Sequence, residues 1–213
     1  MRTLIISGGW DGHHPHAVAE LLAAHIGGEV TLSTSLDDCP QAHEFDVVIP
    51  NWTMGEISGE QAQALLAAVA AGTGLVGLHG GMGDAFRSCT EFQFAVGGQF
   101  VAHPGDGRPY RVRFRGEWPL TAGLSDFDVV TEQYYMHVDP AIRVLATCRF
   151  DEFDTEMPAV WTKLHGEGRV FYCSLGHDPS VVAHPTVLEL MRRGVLWAAS
   201  RGDLQGARLG EVL

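Results

Sequence analysis

The sequence predicts an α/β protein in which a mostly parallel β-sheet is covered by helices on both faces. The first observation is a series of short apolar runs near residues 3–7, 29–33, 45–50 and 74–78. The second is that helical segments with short connections alternate with these runs. Such an alternation is typical of parallel sheets, and ligands of these proteins bind beyond the carboxyl ends of the strands.

The helices of the first half carry recognisable start and stop signals. Pro15 suits the first turn of a helix that continues to His25, and Gly27 follows as a stop signal. Ser58 is a typical N-cap for a second helix that runs through Ala71 and is rich in Ala, Leu and Gln. These signals give the first half of the chain its β-α-β rhythm.

Residues 74–83 predict a sharp turn at the end of a buried strand. This stretch has five glycines in ten positions, and glycines weaken the interior of any helix or strand. A strand-to-turn elbow would explain them, because bulky neighbours clash where the side chain at the tip takes an unusual backbone conformation. His79 would stand at that tip, above the carboxyl edge of the sheet. The alternative is a glycine-rich turn whose histidine is incidental.

From Tyr110 the segments alternate apolar and polar residues more strictly, which favours half-exposed antiparallel strands near 110–115 and 127–132. Three more strands are predicted near residues 142–148, 159–164 and 169–174. A short helix is predicted over 90–96, a loop over 97–104, and a helix over 186–200 whose inward residues are Val187, Leu190, Met191, Val195 and Leu196. We expect a single domain over residues 1–200 and a peripheral tail over 201–213.

Composition and charge exclude several classes of function. The 213 residues include 26 acidic and 14 basic side chains, a formal net charge of −12, which would repel nucleic acid and anionic membrane surfaces. No apolar run approaches the ~18–20 residues of a membrane-spanning helix. The four cysteines form no CxxC pair and predict reduced thiols in a cytoplasmic protein. The expected partner is a small molecule, and a homo-oligomer is left open.

Three residues are predicted to carry chemistry because each follows or ends a predicted strand. His79 could act as a base, a metal ligand or a hydrogen-bond donor, and His177 comes just after the last strand. Glu132 could serve as a general acid or base if partial burial raises its pKa. We predict that these three residues and His103 line one pocket. The alternative is that each of them satisfies a separate loop.

Five further residues are predicted to contact a substrate, namely Trp10, His14, Trp52, His103 and Tyr134. The two tryptophans end strands at the expected edge and could stack on a sugar ring, as could Tyr134. The alternatives are that the two tryptophans cap the core and that Tyr134 and Tyr135 alternate between core and surface. His103 lies in a glycine-rich loop that it could simply shape.

His13, His14 and His16 raise the question of a metal. Two nearby histidines with a distant third ligand and an open position for water are an ordinary catalytic zinc arrangement. Neighbouring loop histidines are also often only solvated. We therefore assign no metal ligand and predict no cofactor, and zinc stays as the open alternative.

Several segments, in this order and spacing, carry a collective signal. They are the first loop with its histidines, residues 77–81 (GLHGG), 97–100 (GGQF) with His103-Pro104, 128–135, and 168–172 (GRVFY) leading to 176–178 (GHD). Together they resemble the ThuA family of trehalose-utilisation proteins over about residues 1–200. The resemblance implies a flavodoxin-like three-layer α/β/α sandwich of the class I glutamine amidotransferase-like type, and it suggests a sugar or keto-sugar substrate.

Amidotransferase relatives of that family have a nucleophilic cysteine at the elbow, and this chain departs from them there. His79 takes that position and Cys89 lies ten residues further on, so glutamine hydrolysis through a thioester is not expected. The predicted function is an enzyme of carbohydrate metabolism, a sugar isomerase or hydrolase that uses His79, Glu132 and His177 in acid–base catalysis. Two alternatives stay open: a non-catalytic sugar-binding or regulatory protein, and a zinc-dependent hydrolase.

Overall fold

The computed structural model describes residues 1–200, and the tail predicted over 201–213 lies outside the described residues. The strands are β1 Arg2–Gly9, β2 Glu29–Ser33, β3 Val47–Thr53, β4 Gly74–Leu78, β5 Gly98–Ala102, β6 Arg108–Phe114, β7 Phe127–Thr131, β8 Tyr135–Val138, β9 Arg143–Phe150, β10 Thr155–His165 and β11 Gly168–Cys173. The helices are α1 Pro15–His25, α2 Gly59–Ala70, α3 His79–Gly83, α4 Thr90–Val96, α5 Pro179–Val182 and α6 Pro185–Ala199. Short 3-10 turns cover Asp11–His13, Leu36–Glu44, Pro119–Thr121 and Asp151–Phe153.

The centre of the fold is a nine-stranded sheet with the order β2-β1-β3-β4-β11-β10-β9-β6-β7. Its first five strands run parallel to one another. Four of them, β1 to β4, confirm the parallel strands predicted from the apolar runs, and β11 joins them from the second half of the chain. β3 begins two residues later than predicted and continues to Thr53, so Asn51 and Trp52 belong to the strand. Along β1, Leu4 and Ile6 face one apolar cluster and Ile5 faces the other, as the alternation of a strand requires.

Helices pack on both faces of the sheet and complete the three predicted layers. α1 and α6 contribute Leu22 and Leu190 to one core, and α2 and α4 contribute Leu65 and Phe92 to the other. The predicted interior of the last helix is wrong at one position, because Leu196 of α6 is 45% exposed. Its neighbours on the helical wheel fill the buried face, so the apolar side chain at 196 is left on the solvent side.

Ser58 caps α2 as the sequence predicts. Its hydroxyl oxygen accepts a hydrogen bond from the Gln61 amide at 3.1 Å, and the Gln61 side chain accepts one from the Ser58 amide at 3.0 Å. This capping box satisfies two backbone donors that would otherwise lack partners. The helix therefore begins at Gly59, where the signal places it.

The other four strands, β10, β9, β6 and β7, form the antiparallel half of the sheet. Their pairing makes β7 point in the same direction as β4, although five positions separate the two strands. In a flat sheet, five steps of about 4.8 Å would place them roughly 24 Å apart. The contact between the ends of the two strands described below shows that the sheet curls. The pairing of β10 with β9 contains two register shifts, and bulges of this kind bend and twist a strand.

A two-stranded ribbon of β5 and β8 is the main departure from the predicted elements. The sequence predicts a loop over 97–104 and no strand over 135–138. Most β5 side chains are exposed or half-exposed, so the segment lacks the apolar alternation that indicates a strand. Main-chain pairing, which begins with Gly98 opposite Val138, forms the ribbon instead.

Candidate active site

The chain turns sharply at His79, directly after β4, as the elbow prediction requires. The φ angle of His79 is +44°, in the left-handed region that non-glycine residues rarely adopt. The glycines around it have a steric reason. A Cβ atom on Gly80 would lie 2.6 Å from Cε1 of His13, and one on Gly81 would lie 2.5 Å from Oδ1 of Asn51. The small residues therefore let the elbow pack closely against the ends of β1 and β3.

His79 is fixed on both sides of its ring. Its Nδ1 lies 2.9 Å from the carbonyl oxygen of Ser174, and its Nε2 lies 3.2 Å from Oε2 of Glu132. The ring stacks on Tyr134 with 4.0 Å between centroids. The pairing of β4 with β11 sets up the first contact. Leu78 and Cys173 are in register, and the residues that follow them, His79 and Ser174, form the bond. Burial lowers the pKa of His79 to about 4, so its ring is neutral near pH 7.

One carboxylate oxygen is the meeting point of the site. Oε2 of Glu132 lies 3.2 Å from Nε2 of His79, 3.3 Å from Nδ1 of His177 and 3.8 Å from Nε2 of His13. The other oxygen, Oε1, lies 3.5 Å from Nε2 of His103. The structure thus brings His79, His103, Glu132 and His177 together, as the sequence predicts, and adds His13.

Glu132 is ionised in this setting. Burial alone would raise its pKa, but hydrogen bonds from His13 and His79, and the charges of His79 and His177, oppose its protonation at the acid pH where these imidazoles are protonated, and they hold that pKa well below its ordinary value. This is opposite to the raised pKa expected from partial burial, and the reason is the ring of imidazoles that the sequence could not show. The site therefore combines a buried carboxylate with several groups that can hold or release protons.

His13 reaches the site from the loop that follows β1. The 3-10 turn Asp11–His13 ends at His14, whose φ angle is +48°, and Pro15 then starts α1. Nδ1 of His13 lies 2.8 Å from Oγ1 of Thr53, the last residue of β3. The Asn51 side chain donates to the Pro15 carbonyl oxygen at 2.7 Å and ties the same loop to β3. The two bonds hold this loop over the carboxyl edge of the sheet.

The other predicted contact residues are distributed unevenly. Tyr134 lies under His79, and Trp10 is half exposed with its ring edge-on to His13 at 4.8 Å between centroids. His14 is exposed, and no hydrogen bond or ring contact within residues 1–200 joins it to the cluster. Trp52 packs over Gly8 and belongs to the apolar cluster beside α2. The structure therefore does not place His14 and Trp52 with the other predicted residues.

The reasons for these two departures are local. Thr53 directs its side chain towards His13, so Trp52, one residue earlier in β3, faces the other side of the sheet. The left-handed backbone at His14 reverses the chain and leaves His13, not His14, inside. Sequence inspection finds the histidine group but not its inward member. The alternation of side chains along β3 was the signal that could have indicated that Thr53, and not Trp52, faces the histidine cluster.

Four of the converging residues could hold a metal ion. His13, His79, Glu132 and His177 each offer one ligand atom, and these atoms all lie within 4.8 Å of one another. Three of the four residues are buried and His177 is partly exposed. Histidine nitrogen with carboxylate oxygen is a ligand set typical of zinc and other divalent transition metals.

The sequence of the chain matches the family model described as "ThuA: Trehalose utilisation" over residues 2–198. The chain belongs to the ThuA family. The elbow, the GGQF segment and the GHD segment, which carry the resemblance, all lie within the matched range. The chain has no significant match among curated proteins.

Solved structures of similar fold include two ThuA-like proteins. One, from Parabacteroides merdae ATCC 43184, has a TM-score of 0.79 and 21% sequence identity, with 94% of this chain and 90% of that chain covered. The other, from Bacteroides uniformis ATCC 8492, has a TM-score of 0.74 and 18% identity, with 93% and 91% covered. A β-galactosidase from Rahnella sp. R3 shares the fold over 31% of its own chain and 94% of this one, with a TM-score of 0.65 and 18% identity.

The similarity to these structures supports the three-layer α/β fold of this chain. Within residues 1–200, no helix is both long and apolar enough to cross a membrane.

Proposed function

We propose that this protein is an enzyme of carbohydrate metabolism that acts on a sugar of the trehalose or keto-sugar type. The observation that carries the proposal is the convergence of His13, His79 and His177 on one oxygen of Glu132. Collecting several imidazoles around a buried carboxylate has no evident structural need, and sites that move protons are where such groups are concentrated.

The arrangement suits proton transfer to and from hydroxyl or carbonyl groups. Ionised Glu132 can accept a proton, and an imidazolium formed at His177 can donate one. His177 and His103 are the members with substantial exposure, 30% and 35% of their side chains, so a substrate would meet them first. His79 is buried behind Glu132, so it would influence that carboxylate rather than meet the substrate itself. Isomerisation and hydrolysis of an oxidised sugar both need such transfers.

Two further observations support a carbohydrate substrate. The family description names trehalose utilisation, and aromatic faces such as those of Trp10 and Tyr134 commonly pack against sugar rings. Glutamine amidotransfer is not supported, because His79 stands where a thiolate nucleophile would be needed. A cytoplasmic location is part of the proposal, and the four free thiols favour a reducing compartment.

A substrate panel tests the proposal. Purified protein is incubated with trehalose, other disaccharides and a panel of keto-sugars derived from them, and products are followed by NMR. We expect conversion of at least one keto-sugar, with conversion lost in Glu132→Gln. Binding of a sugar without conversion of any panel member would favour the non-catalytic alternative. If the protein neither binds nor converts any sugar of the panel, the carbohydrate assignment is contradicted.

A further inference from the structure

We propose that His13, His79, Glu132 and His177 together bind one divalent transition-metal ion, with zinc as the best match. The inference rests on the same site as the proposed function and deepens it, because it names the ion that the catalytic centre would hold. Binding of the ion can be measured without any turnover, so the two proposals can fail separately.

The distances between the ligand atoms fit a single ion. Ligands about 2.1 Å from a tetrahedral zinc ion lie roughly 3.4 Å from one another. The three separations from Glu132 Oε2 are 3.2 Å to His79, 3.3 Å to His177 and 3.8 Å to His13. Small movements of these side chains would bring all four atoms to bonding distance.

The hydrogen bonds of His79 leave the right nitrogen free. The Ser174 carbonyl oxygen can only accept, so the hydrogen of the His79 ring lies on Nδ1. In the neutral ring, Nε2 then presents a lone pair to Oε2 of Glu132, which is itself an acceptor. Two acceptors at 3.2 Å repel unless a cation lies between or beside them. A backbone carbonyl that fixes the far nitrogen is also the common support of a metal-bound histidine.

Nδ1 of His177 gives an independent indication. This atom is buried, and it has no hydrogen-bond partner in the described part of the chain, although Glu132 Oε2 is 3.3 Å away. Buried polar atoms are normally satisfied, and an orphan of this kind requires an explanation such as an ion. Nδ1 is also the ligand atom that the proposed site needs from this residue.

Protons alone are a poorer explanation of the cluster. To satisfy Glu132 by hydrogen bonds, His13, His79 and His177 would all have to donate to the same oxygen. The three rings lie 4.6 to 5.7 Å apart between centroids, so several imidazolium charges would repel one another there. One divalent ion supplies the positive charge while the rings stay neutral.

Three imidazoles and one carboxylate select the kind of ion. Magnesium and calcium prefer oxygen ligands, whereas imidazole suits zinc, copper, iron and nickel. Such an ion could polarise a carbonyl or hydroxyl oxygen of a sugar or lower the pKa of a bound water. His103, which contacts the other oxygen of Glu132, would then remain free to exchange protons.

The test measures the metal directly on the full chain, purified without a histidine tag. Metal content is determined by mass spectrometry, the ion is removed with a chelator, and Zn²⁺ is titrated back by calorimetry. Co²⁺ is also added, because its visible absorption reports nitrogen and oxygen ligands in a four- or five-coordinate site. The variants are Glu132→Gln and His177→Gln, with His25→Gln as the matched control because His25 is exposed and its Nδ1 bonds the Leu21 carbonyl oxygen of its own helix.

We expect one Zn²⁺ per chain with micromolar or tighter affinity, at least about tenfold weaker binding in both site variants, and unchanged binding in His25→Gln. If Glu132→Gln does not fold, as judged by circular dichroism, the partly exposed His177 provides the deciding variant. Absence of stoichiometric binding of Zn²⁺ and Co²⁺, or equal binding by all variants, would overturn the inference. A chain that binds zinc but converts no sugar contradicts only the proposed function, and a chain that converts sugar but binds neither Zn²⁺ nor Co²⁺ contradicts only the metal site.

Discussion

The parallel and antiparallel halves of the sheet contribute different chemistry to the same site. The parallel half presents imidazoles, because His13, His79 and His177 follow the carboxyl ends of β1, β4 and β11. The antiparallel half contributes the carboxylate of Glu132 and the ring of Tyr134, which follow β7. Neither half contains both the acid and its partners. The active centre therefore exists only where the curled end of the antiparallel half meets the parallel half.

The largest effect is expected from removing the charge that the antiparallel half supplies. Glu132→Gln keeps the size of the side chain but removes its negative charge, which all of the nearby imidazoles face. We expect kcat/KM on the converted sugar to fall by about 10² to 10⁴, the usual contribution of general acid–base catalysis. Steady-state kinetics measure the loss, and thermal unfolding shows that the variant is folded.

Glu20→Gln is the matched control for that change, because Glu20 is an exposed carboxylate on α1. Its kcat/KM should stay within about twofold of the wild-type value, since exposed substitutions away from the site usually have small effects. Less than a tenfold loss in Glu132→Gln would mean that the antiparallel half gives shape rather than chemistry.

The next effect concerns how the parallel half positions its imidazoles. An added methyl group in Gly80→Ala would collide with the His13 ring and with Thr53. We expect about a tenfold loss of kcat/KM and a loss of about 1–3 kcal/mol in the free energy of unfolding, as overpacking usually costs.

Gly59→Ala provides the comparison for Gly80→Ala. A Cβ atom on Gly59 would meet nothing within 4 Å, and the residue begins α2. We expect unchanged kinetics and equal or slightly higher stability, because alanine favours a helix more than glycine does. Equal behaviour of the two variants in urea unfolding and kinetics would show that close packing at the elbow is not required.

A smaller effect is expected for charges far from the junction. Hydrogen bonds from Arg192 and Arg193 lower the pKa of Glu189 in α6 from its ordinary value of 4.5 to about 2. A lowered pKa in the folded state means that the stabilisation is present above the unfolded-state pKa and is lost as the pH falls towards 2. The carboxylate is partly exposed, so we expect a contribution below about 1 kcal/mol. Urea unfolding of the wild type and Glu189→Gln should differ at pH 6 and converge as the pH approaches 2.

The smallest effect is expected from the thiols. Cys39, Cys148 and Cys173 are buried, and burial raises the pKa of the first two to about 11 and of the third to about 12. Cys89 is partly exposed in a groove of about 660 Å³ beside α2. Iodoacetamide at neutral pH should therefore modify Cys89 alone and leave activity within about twofold, since the thiol is outside the histidine cluster. Stoichiometric inactivation by that modification would show that the nucleophile is a cysteine after all.

The parallel half could be predicted from the sequence largely because its rules are local. Buried runs define the strands, Ser58 and Gly27 mark helix ends, and the glycines around His79 indicate the elbow. Since the carboxyl ends of parallel strands share one edge, the meeting of His79 and His177 followed from topology.

The rest of the site depends on long-range geometry that the sequence does not display. The curl that brings Glu132 to His79 arises from the whole antiparallel half. The lowered pKa of Glu132 follows from neighbours that only the fold collects. His13 was distinguishable from His14 only through the reversed backbone at His14. The β5–β8 ribbon was missed because its pairing involves the main chain and leaves little apolar pattern.

A double-mutant cycle tests most directly whether the two halves form one catalytic unit. It measures kcat/KM for the wild type, Glu132→Gln, His79→Asn and the double variant on the sugar that the panel identifies. Asparagine is chosen because it tolerates the positive φ angle of His79. Residues that act as a unit give non-additive losses, so the double variant should be no more than about threefold worse than the poorer single variant. Losses that multiply would show that Glu132 and His79 act independently and would contradict a single centre at the junction.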